Sequence, residues 1–331
     1  MTLLDVILYF VMPLAITALM TYGLIPYFHR KQFGQYIREE GPKAHLKKQG
    51  TPTMGGIAIF LGIAAGMAIF MVRVSDPLKS WASPHLVRDA MAIVLTMLAF
   101  GAIGFIDDFN KIAKKENLGL TAKQKLIMQA VFSIGLAFYM MRTGREDLFI
   151  PFLKIGVSFG LLYIPFVMFV EIAMSNAVNL TDGLDGLAAG VTAIVGITFA
   201  VIGWKDGDTI LTVSGTVVAG ALIGFLLFNH YPAKIFMGDT GSMALGGVLS
   251  GIAVVTGKEF LLPLVGLIYV LEALSVIIQV AYFRKTGGKR FFRMAPLHHH
   301  FELGGMKEYN VVYMFCAVTA VLGVIAYFGT I

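Results

Sequence analysis

Charge is scarce in this chain. Of 331 residues only 14% are charged, against 57% hydrophobic, and the mean hydropathy is +0.78. Soluble globular domains carry about 25% charged residues, so that class is excluded. Cysteine is nearly absent: Cys316 stands alone inside the last apolar segment and has no disulfide partner. The N-terminal MTLLDVILYF contains an acid but no basic n-region, and its apolar run extends to about Phe28. It reads as a retained membrane span and not as a cleaved signal. Low-complexity tracts and internal repeats of usable period are missing, and no polar stretch is long enough for a soluble domain.

Apolar stretches of the length needed to cross about 30 Å of hydrocarbon recur along the chain. Hydropathy predicts spans near 3–28, 55–72, 90–106, 125–141, 157–174, 184–203, 209–228, 243–256, 260–283 and 310–330. The expected fold is therefore all-α and polytopic, one integral membrane domain over 1–331. An outward β-hairpin is expected near 146–158, where short β-compatible runs flank Pro151. Loops 29–54, 107–125 and 284–309 with Lys234 hold 18 of the 26 Lys and Arg, and the alternate loops hold the other 8. The positive-inside rule places the basic face in the cytoplasm and, with ten spans, both termini outside.

Five polar loops punctuated by Gly and Pro fall on that basic face: KKQGTPTMGG (47–56), DDFNK (107–111), SNAVNLTDGLDG (175–186), FNHYPAKIFMGDTGS (228–242) and MAPLHHHFE (294–302). Together they predict one cytoplasmic cleft. Asp107 and Asp108 end one predicted span, Asp182 and Asp185 begin another, and Asp239 opens a helix. Carboxylates grouped beside a low-dielectric slab repel one another unless a cation neutralises them. A hard, all-oxygen donor set with phosphate nearby favours Mg²⁺. Each acid taken singly also reads as a helix cap or a solvated charge, because TDG and GDTGS are good capping sequences.

Lys111 follows the acid pair by three and four positions, which permits a plain salt bridge on one helix face. Positive-inside bias accounts for most of the lysines, leaving Lys48 and Lys125 as candidate phosphate ligands. His298, His299 and His300 are three of only seven histidines. On a helix they point about 100° apart and cannot form one facial metal triad, so a general acid/base or phosphate donor with packing neighbours is the better reading. Asn179 offers an amide, and Asp182 and Asp185 could accept from N–H donors of a nucleobase or sugar. Phe236 offers a stacking face or simply a core aromatic.

GTPTMGG, FIDD, NAVNLTDGLDGLAAG, FMGDTGSMALGG and PLHHHFE, in this order on ten spans, resemble the polyprenyl-phosphate N-acetylhexosamine-1-phosphate transferases. The resemblance covers essentially the whole chain. It implies Mg²⁺-dependent transfer of a phosphosugar from a UDP-sugar to a lipid phosphate at the bacterial inner membrane, with release of UMP. Within the family, PLHHHFE goes with donors of the UDP-N-acetylmuramoyl-pentapeptide type and with undecaprenyl phosphate as acceptor, in peptidoglycan synthesis. The resemblance further implies metal ligation by Asp239 with Asp107 and Asp108, activation of the lipid phosphate by Asp107, and active-site roles for Lys125, Asn179 and His298. Lys48, Thr53, Asn229, Asp182, Asp185 and Phe236 match its uridine and diphosphate pocket, with His299 and His300 beside the substrate. A homodimer is expected on the same grounds. Where the family often has a GW pair after the histidines, this chain has GMKEY with Met306.

Three alternatives compete. A related transferase could use UDP-N-acetylglucosamine, and an ion-coupled transporter could use buried carboxylates near the bilayer midplane. A non-catalytic scaffold leaves the one-sided acid set unexplained.

Overall fold

The computed structural model describes residues 1–31, 48–75, 83–114, 119–153 and 155–330. Of the loop cations counted above, Arg38, Lys43, Lys47, Lys79, Lys115 and Lys154 lie outside these residues. Among the described residues ten helices are long and apolar enough to cross a membrane. They are α1 (Leu3–Arg30), α2 (Gly56–Val74), α3 (Pro84–Lys114), α4 (Ala122–Arg142), α5 (Tyr163–Thr181), α6 (Leu187–Asp206), α7 (Thr209–Asn229) and α8 (Gly238–Val255), then α10 (Leu267–Lys285) and α12 (Glu308–Gly329). The chain is a multi-pass membrane protein.

The remaining elements are short. The strands β1 (Asp147–Ile150) and β2 (Ile155–Ser158) pair antiparallel in register Asp147↔Ser158, forming the expected hairpin. The one-turn helix α9 (Leu262–Val265) precedes α10, and α11 (Leu297–Glu302) carries the histidines.

Three boundaries differ from hydropathy. Helix α3 runs two turns past the predicted end at 106, because the amide ladder continues through polar residues that a hydropathy window rejects. Asp107, Asp108 and Lys111 are thus helical. Asp182 and Asp185 do not begin a span; Asp182 caps the C-terminus of α5, and α6 starts only at Leu187, after Gly186 at φ 78°. The predicted span 260–283 is broken at Gly266, which separates α9 from α10.

The core is built around α7 and α8, whose faces are buried nearly all round. Helix α8 packs along α3 and α5, and α7 along α1 and α6. Small residues permit this closeness. At Gly104 a side-chain carbon would lie 2.1 Å from the carbonyl oxygen of Asp239, so α3 meets the start of α8 only because Gly104 has none. That contact brings the acid pair of α3 against Asp239.

Candidate active site

The candidate side chains sit on one side of the bundle: toward the C-terminal ends of α3, α5 and α7, at the N-terminal ends of α4 and α8, in the segments before α2, α6 and α8, and on α11. The opposite end, about 27 Å away along α3 from Asp107 to Asp89, holds a cavity of about 960 Å³. Two of its lining cations are paired: Arg145 grips Asp89 at 2.6 and 2.8 Å, and Lys258 lies 3.3 Å from Asp206. It is lined by none of the predicted site residues.

Asp108 caps α8 from another helix. Its Oδ1 accepts from Asp239 N–H at 3.1 Å, and its Oδ2 accepts from Thr240 N–H at 2.8 Å and Thr240 Oγ1–H at 2.7 Å. These are orphan donors of a helix N-terminus, where negative charge is also favoured by the dipole. With all of these bonds made, Asp108 fixes where Asp239 projects.

Asp107 and Asp239 share two lysines. Lys125 Nζ lies 2.7 Å from Asp239 Oδ2 and 3.1 Å from Asp107 Oδ1; Lys111 Nζ lies 2.6 Å from Asp107 Oδ2 and 3.2 Å from Asp239 Oδ2. Leu120 N–H donates to Asp107 Oδ1 at 2.6 Å. Lys125 is delivered here by the capping box that starts α4, in which Thr121 and Gln124 satisfy each other's backbone N–H groups. Lys111 is therefore more than a local ion pair. In sequence its i,i+4 spacing from Asp107 and positive-inside bias leave nothing to single it out, because the second contact crosses to α8 and leaves no trace in spacing.

One oxygen from each of Asp107, Asp108 and Asp239 falls within 4.8 Å of the others. This set of hard oxygens from two helices suits Mg²⁺, which takes one or two carboxylates and fills its remaining positions with water and phosphate. Asp182, beyond the end of α5, has its carboxyl pushed well above the ordinary carboxylate range, by burial first and then by repulsion from Asp239, Asp108 and Asp185. That repulsion puts Asp182 within electrostatic reach of the cluster. Asn179 lies in the last turn of α5 and is half-buried.

A second knot ties the loops beside the cluster. Lys48 Nζ lies 2.7 Å from Asp185 Oδ1 and also contacts Glu308 Oε1. Asp185 N–H donates to Glu308 Oε1 at 2.8 Å, and Ala233 N–H donates to Asp185 Oδ2 at 2.9 Å. Asn229 Nδ2 donates to the carbonyl of Ile235 at 2.9 Å. Phe236 exchanges backbone bonds with Pro52 and Gly55, both 2.8 Å, which holds Thr53 buried beside Gly238. Lys48, Asp185 and Asn229 Nδ2 thus tie these loops together. Phe236 keeps its ring half-exposed. Glu308 was absent from the predicted set, being an isolated acid outside every motif.

The three histidines diverge, as their helical spacing requires. His298 is fully buried; its N–H and Nδ1 meet the two oxygens of Glu272, at 3.2 and 3.1 Å. Its Nε2 faces Gly183, where a side-chain carbon would lie 2.2 Å away. His299 Nδ1 pairs with Glu302 at 2.9 Å, and His300 Nδ1 accepts from Arg293 N–H at 3.2 Å. Glu272, buried in α10, was also missed; a single acid in an apolar helix gives no hint of its partner 26 residues on.

The fold and the site define a polytopic helical protein with carboxylates and lysines gathered at one end of the bundle, and residues 90–257 match the family described as glycosyl transferase family 4. A membrane-embedded glycosyl-phosphate transferase is thus the class. Residues 48–60 match phospho-N-acetylmuramoyl-pentapeptide-transferase signature 1. The chain is 47% identical over 303 residues to a phospho-N-acetylmuramoyl-pentapeptide-transferase of Clostridium botulinum (92% of this chain, 90% of the relative). It is 46% identical over 325 residues to that of Halalkalibacterium halodurans (98% and 96%), and 48% identical over 305 residues to that of Clostridium beijerinckii (92% and 90%). The chain belongs to the phospho-N-acetylmuramoyl-pentapeptide-transferase family.

Proposed function

We propose that this protein transfers phospho-N-acetylmuramoyl-pentapeptide from UDP-N-acetylmuramoyl-pentapeptide to undecaprenyl phosphate, giving lipid I and UMP. The observation that carries the reading is the four-part network of Asp107, Asp239, Lys111 and Lys125, drawn from three helices to one end of a membrane bundle. A lipid phosphate rides at head-group depth and a nucleotide sugar arrives from water. Phosphoryl transfer between them needs charged groups at that depth on one side, and a transporter would need them near the midplane. The reactive end faces the cytoplasm of the inner membrane, both termini face outward, and the whole chain acts as one membrane domain, working as a homodimer.

An oxygen of the lipid phosphate attacks the β-phosphorus of the donor; the bond between β-phosphorus and the bridging oxygen breaks, and UMP leaves with that oxygen. Asp107 orients the acceptor phosphate or takes its proton. Lys125 and Lys111 turn from the carboxylates to the diphosphate oxygens and stabilise the developing charge. Mg²⁺, held by Asp239 with Asp107 and Asp108, supplies Lewis-acid neutralisation of the phosphate oxygens when bound. Asp108 keeps α8, and with it Asp239, in place. Asn179, Asp182 and Thr53 line the donor's route, the half-exposed ring of Phe236 stacks on the uracil, and Lys48, Asp185 and Asn229 hold the loops that shape this pocket. His298, oriented by Glu272, and the neighbouring His299 and His300 border the sugar-phosphate side.

The test is purified protein with Mg²⁺ and undecaprenyl phosphate, assayed side by side with UDP-N-acetylmuramoyl-pentapeptide and UDP-N-acetylglucosamine. UMP release with the first donor alone supports the assignment. Release with the second alone replaces it with the related transferase.

A further inference from the structure

From Ala273 to Phe301 the chain contains no Asp or Glu, yet Arg284, Lys285, Lys289, Arg290 and Arg293 fall within ten residues. Arg284 and Lys285 form the last turn of α10, and all five cations are exposed. The ion pairs of the described residues include none of them. Cations in a loose loop need no special account beyond positive-inside bias. This segment is not loose.

Gln279 folds it back against α10. Its Oε1 accepts from the N–H groups of Phe291 at 3.1 Å and Phe292 at 2.9 Å, and its Nε2 donates to the Phe292 carbonyl at 3.2 Å. Gln279 lies about 7.5 Å before Arg284 along the helix axis, so the chain passes beyond the basic end of α10 and returns to a level inside it. There Phe291 packs edge-on against Tyr282, with ring centroids 5.6 Å apart. Tyr282, Phe283 and Phe291 remain 37%, 46% and 59% exposed. Arg290 Nη1 donates to the Arg293 carbonyl at 3.2 Å, which closes the hook on itself. The result is a rim of unpaired cations set just outside a cluster of exposed aromatic rings. Aromatic rings favour head-group depth, and cations immediately outside a span attract anionic lipid.

We propose that this hook, residues 282–293, is a binding site for the phosphodiester head groups of anionic phospholipids in the leaflet that borders the acid cluster. Tyr282, Phe283 and Phe291 set its depth, and Arg284, Lys285, Lys289 and Arg290 take the phosphates. Arg293 N–H bonds His300, and α11 with His298 follows four residues later. The hook is thereby coupled to the histidine side of the candidate site. The proposal needs only the membrane placement of the chain and is independent of which sugar nucleotide is the donor.

The experiment uses the full chain carrying Phe283→Trp, reconstituted in phosphatidylcholine bilayers with about 20 mol% of either brominated phosphatidylglycerol or brominated phosphatidylcholine. The parent chain, with only its native tryptophans, is measured in parallel, and the emission attributable to position 283 is compared. The expected result is quenching about twofold or more stronger by the brominated phosphatidylglycerol. That preference should vanish at about 1 M salt, where the screening length falls to about 3 Å. It should also vanish in the variant that adds Arg284→Gln, Lys285→Gln, Lys289→Gln and Arg290→Gln, and should survive inorganic phosphate at constant ionic strength. Equal quenching by the two lipids overturns the proposal, as does a preference that survives the four substitutions or high salt. Displacement by inorganic phosphate overturns it too, by identifying a free-anion site. If the fourfold variant fails to fold, the salt and phosphate arms still decide.

Discussion

Asp108 on α3 caps the first turn of α8 through Thr240, accepting from its amide at 2.8 Å and from its hydroxyl at 2.7 Å. The adjacent Asp107 is instead bound to two lysines. Two neighbouring, chemically identical side chains thus have different partners, one a helix N-terminus and the other a pair of lysines.

Substitution separates them. Asp108→Asn turns one accepting oxygen into a donor against the amides of α8, at a cost of about 1–3 kcal/mol. We expect lower thermal stability in detergent together with lost activity. Asp107→Asn should abolish UMP release while the unfolding temperature stays within about 2 °C of the parent, since it relieves repulsion among the acids as it loses lysine contacts.

Lys111 should matter as much as Lys125. Both lie within 3.2 Å of Asp239, and both are placed to take phosphate charge. Lys111→Met and Lys125→Met are each expected to lower kcat on the order of 10²-fold, the usual effect of removing one charge-stabilising donor. A Lys111 variant with unchanged kcat would return it to the role of a local salt bridge.

The packing of His298 on the turn after α5 makes Gly183 a sensitive position. The β-carbon of Gly183→Ala would lie 2.2 Å from His298 Nε2, so the ring or the turn must move. Activity should fall at least about tenfold. Glu272→Gln, which leaves one of the two His298 donors facing an amide NH₂, should fall similarly. Both are read as UMP release at matched folded protein.

On the opposite face, burial pushes the carboxyl of Glu259 up to about 7, against partial compensation from Tyr163 Oη–H, which donates to it at 3.3 Å. The folded state therefore holds a proton that the unfolded chain has lost. This contribution is fully present below pH about 4.5 and disappears as pH rises through about 7, to a total of roughly 3 kcal/mol at most. Unfolding temperature in detergent should decline over that window in the parent and decline less in Glu259→Gln.

Much of this was legible in the sequence, for identifiable reasons. Hydrocarbon thickness fixes span length, so hydropathy located ten helices, and turn residues around Pro151 located the hairpin. The acids Asp107, Asp108 and Asp239 were legible because carboxylates at the ends of apolar runs are costly. Hydropathy could not see that α3 continues through DDFNK, because helix propensity persists where hydrophobicity stops. Nor could it see that Asp108 caps α8, or that Asp185 and Asn229 bond the backbone of the loop before α8, because such bonds leave no trace in spacing. Lys111, Glu272 and Glu308 give no sequence signal because their decisive partners lie on other elements, 128, 26 and 260 residues away in the chain for Asp239, His298 and Lys48.

The central claim is that Asp239, held by Asp108 and flanked by Lys111 and Lys125, organises phosphoryl transfer to a lipid phosphate. Its most direct test is the initial rate of UMP release from UDP-N-acetylmuramoyl-pentapeptide and undecaprenyl phosphate, with and without Mg²⁺, for the parent and for Asp239→Asn. The account predicts release matched by lipid-linked product in the parent, lost on chelation and restored by Mg²⁺, and at background in Asp239→Asn although that variant remains folded. Parent-like release by folded Asp239→Asn, or release indifferent to chelation, would contradict it.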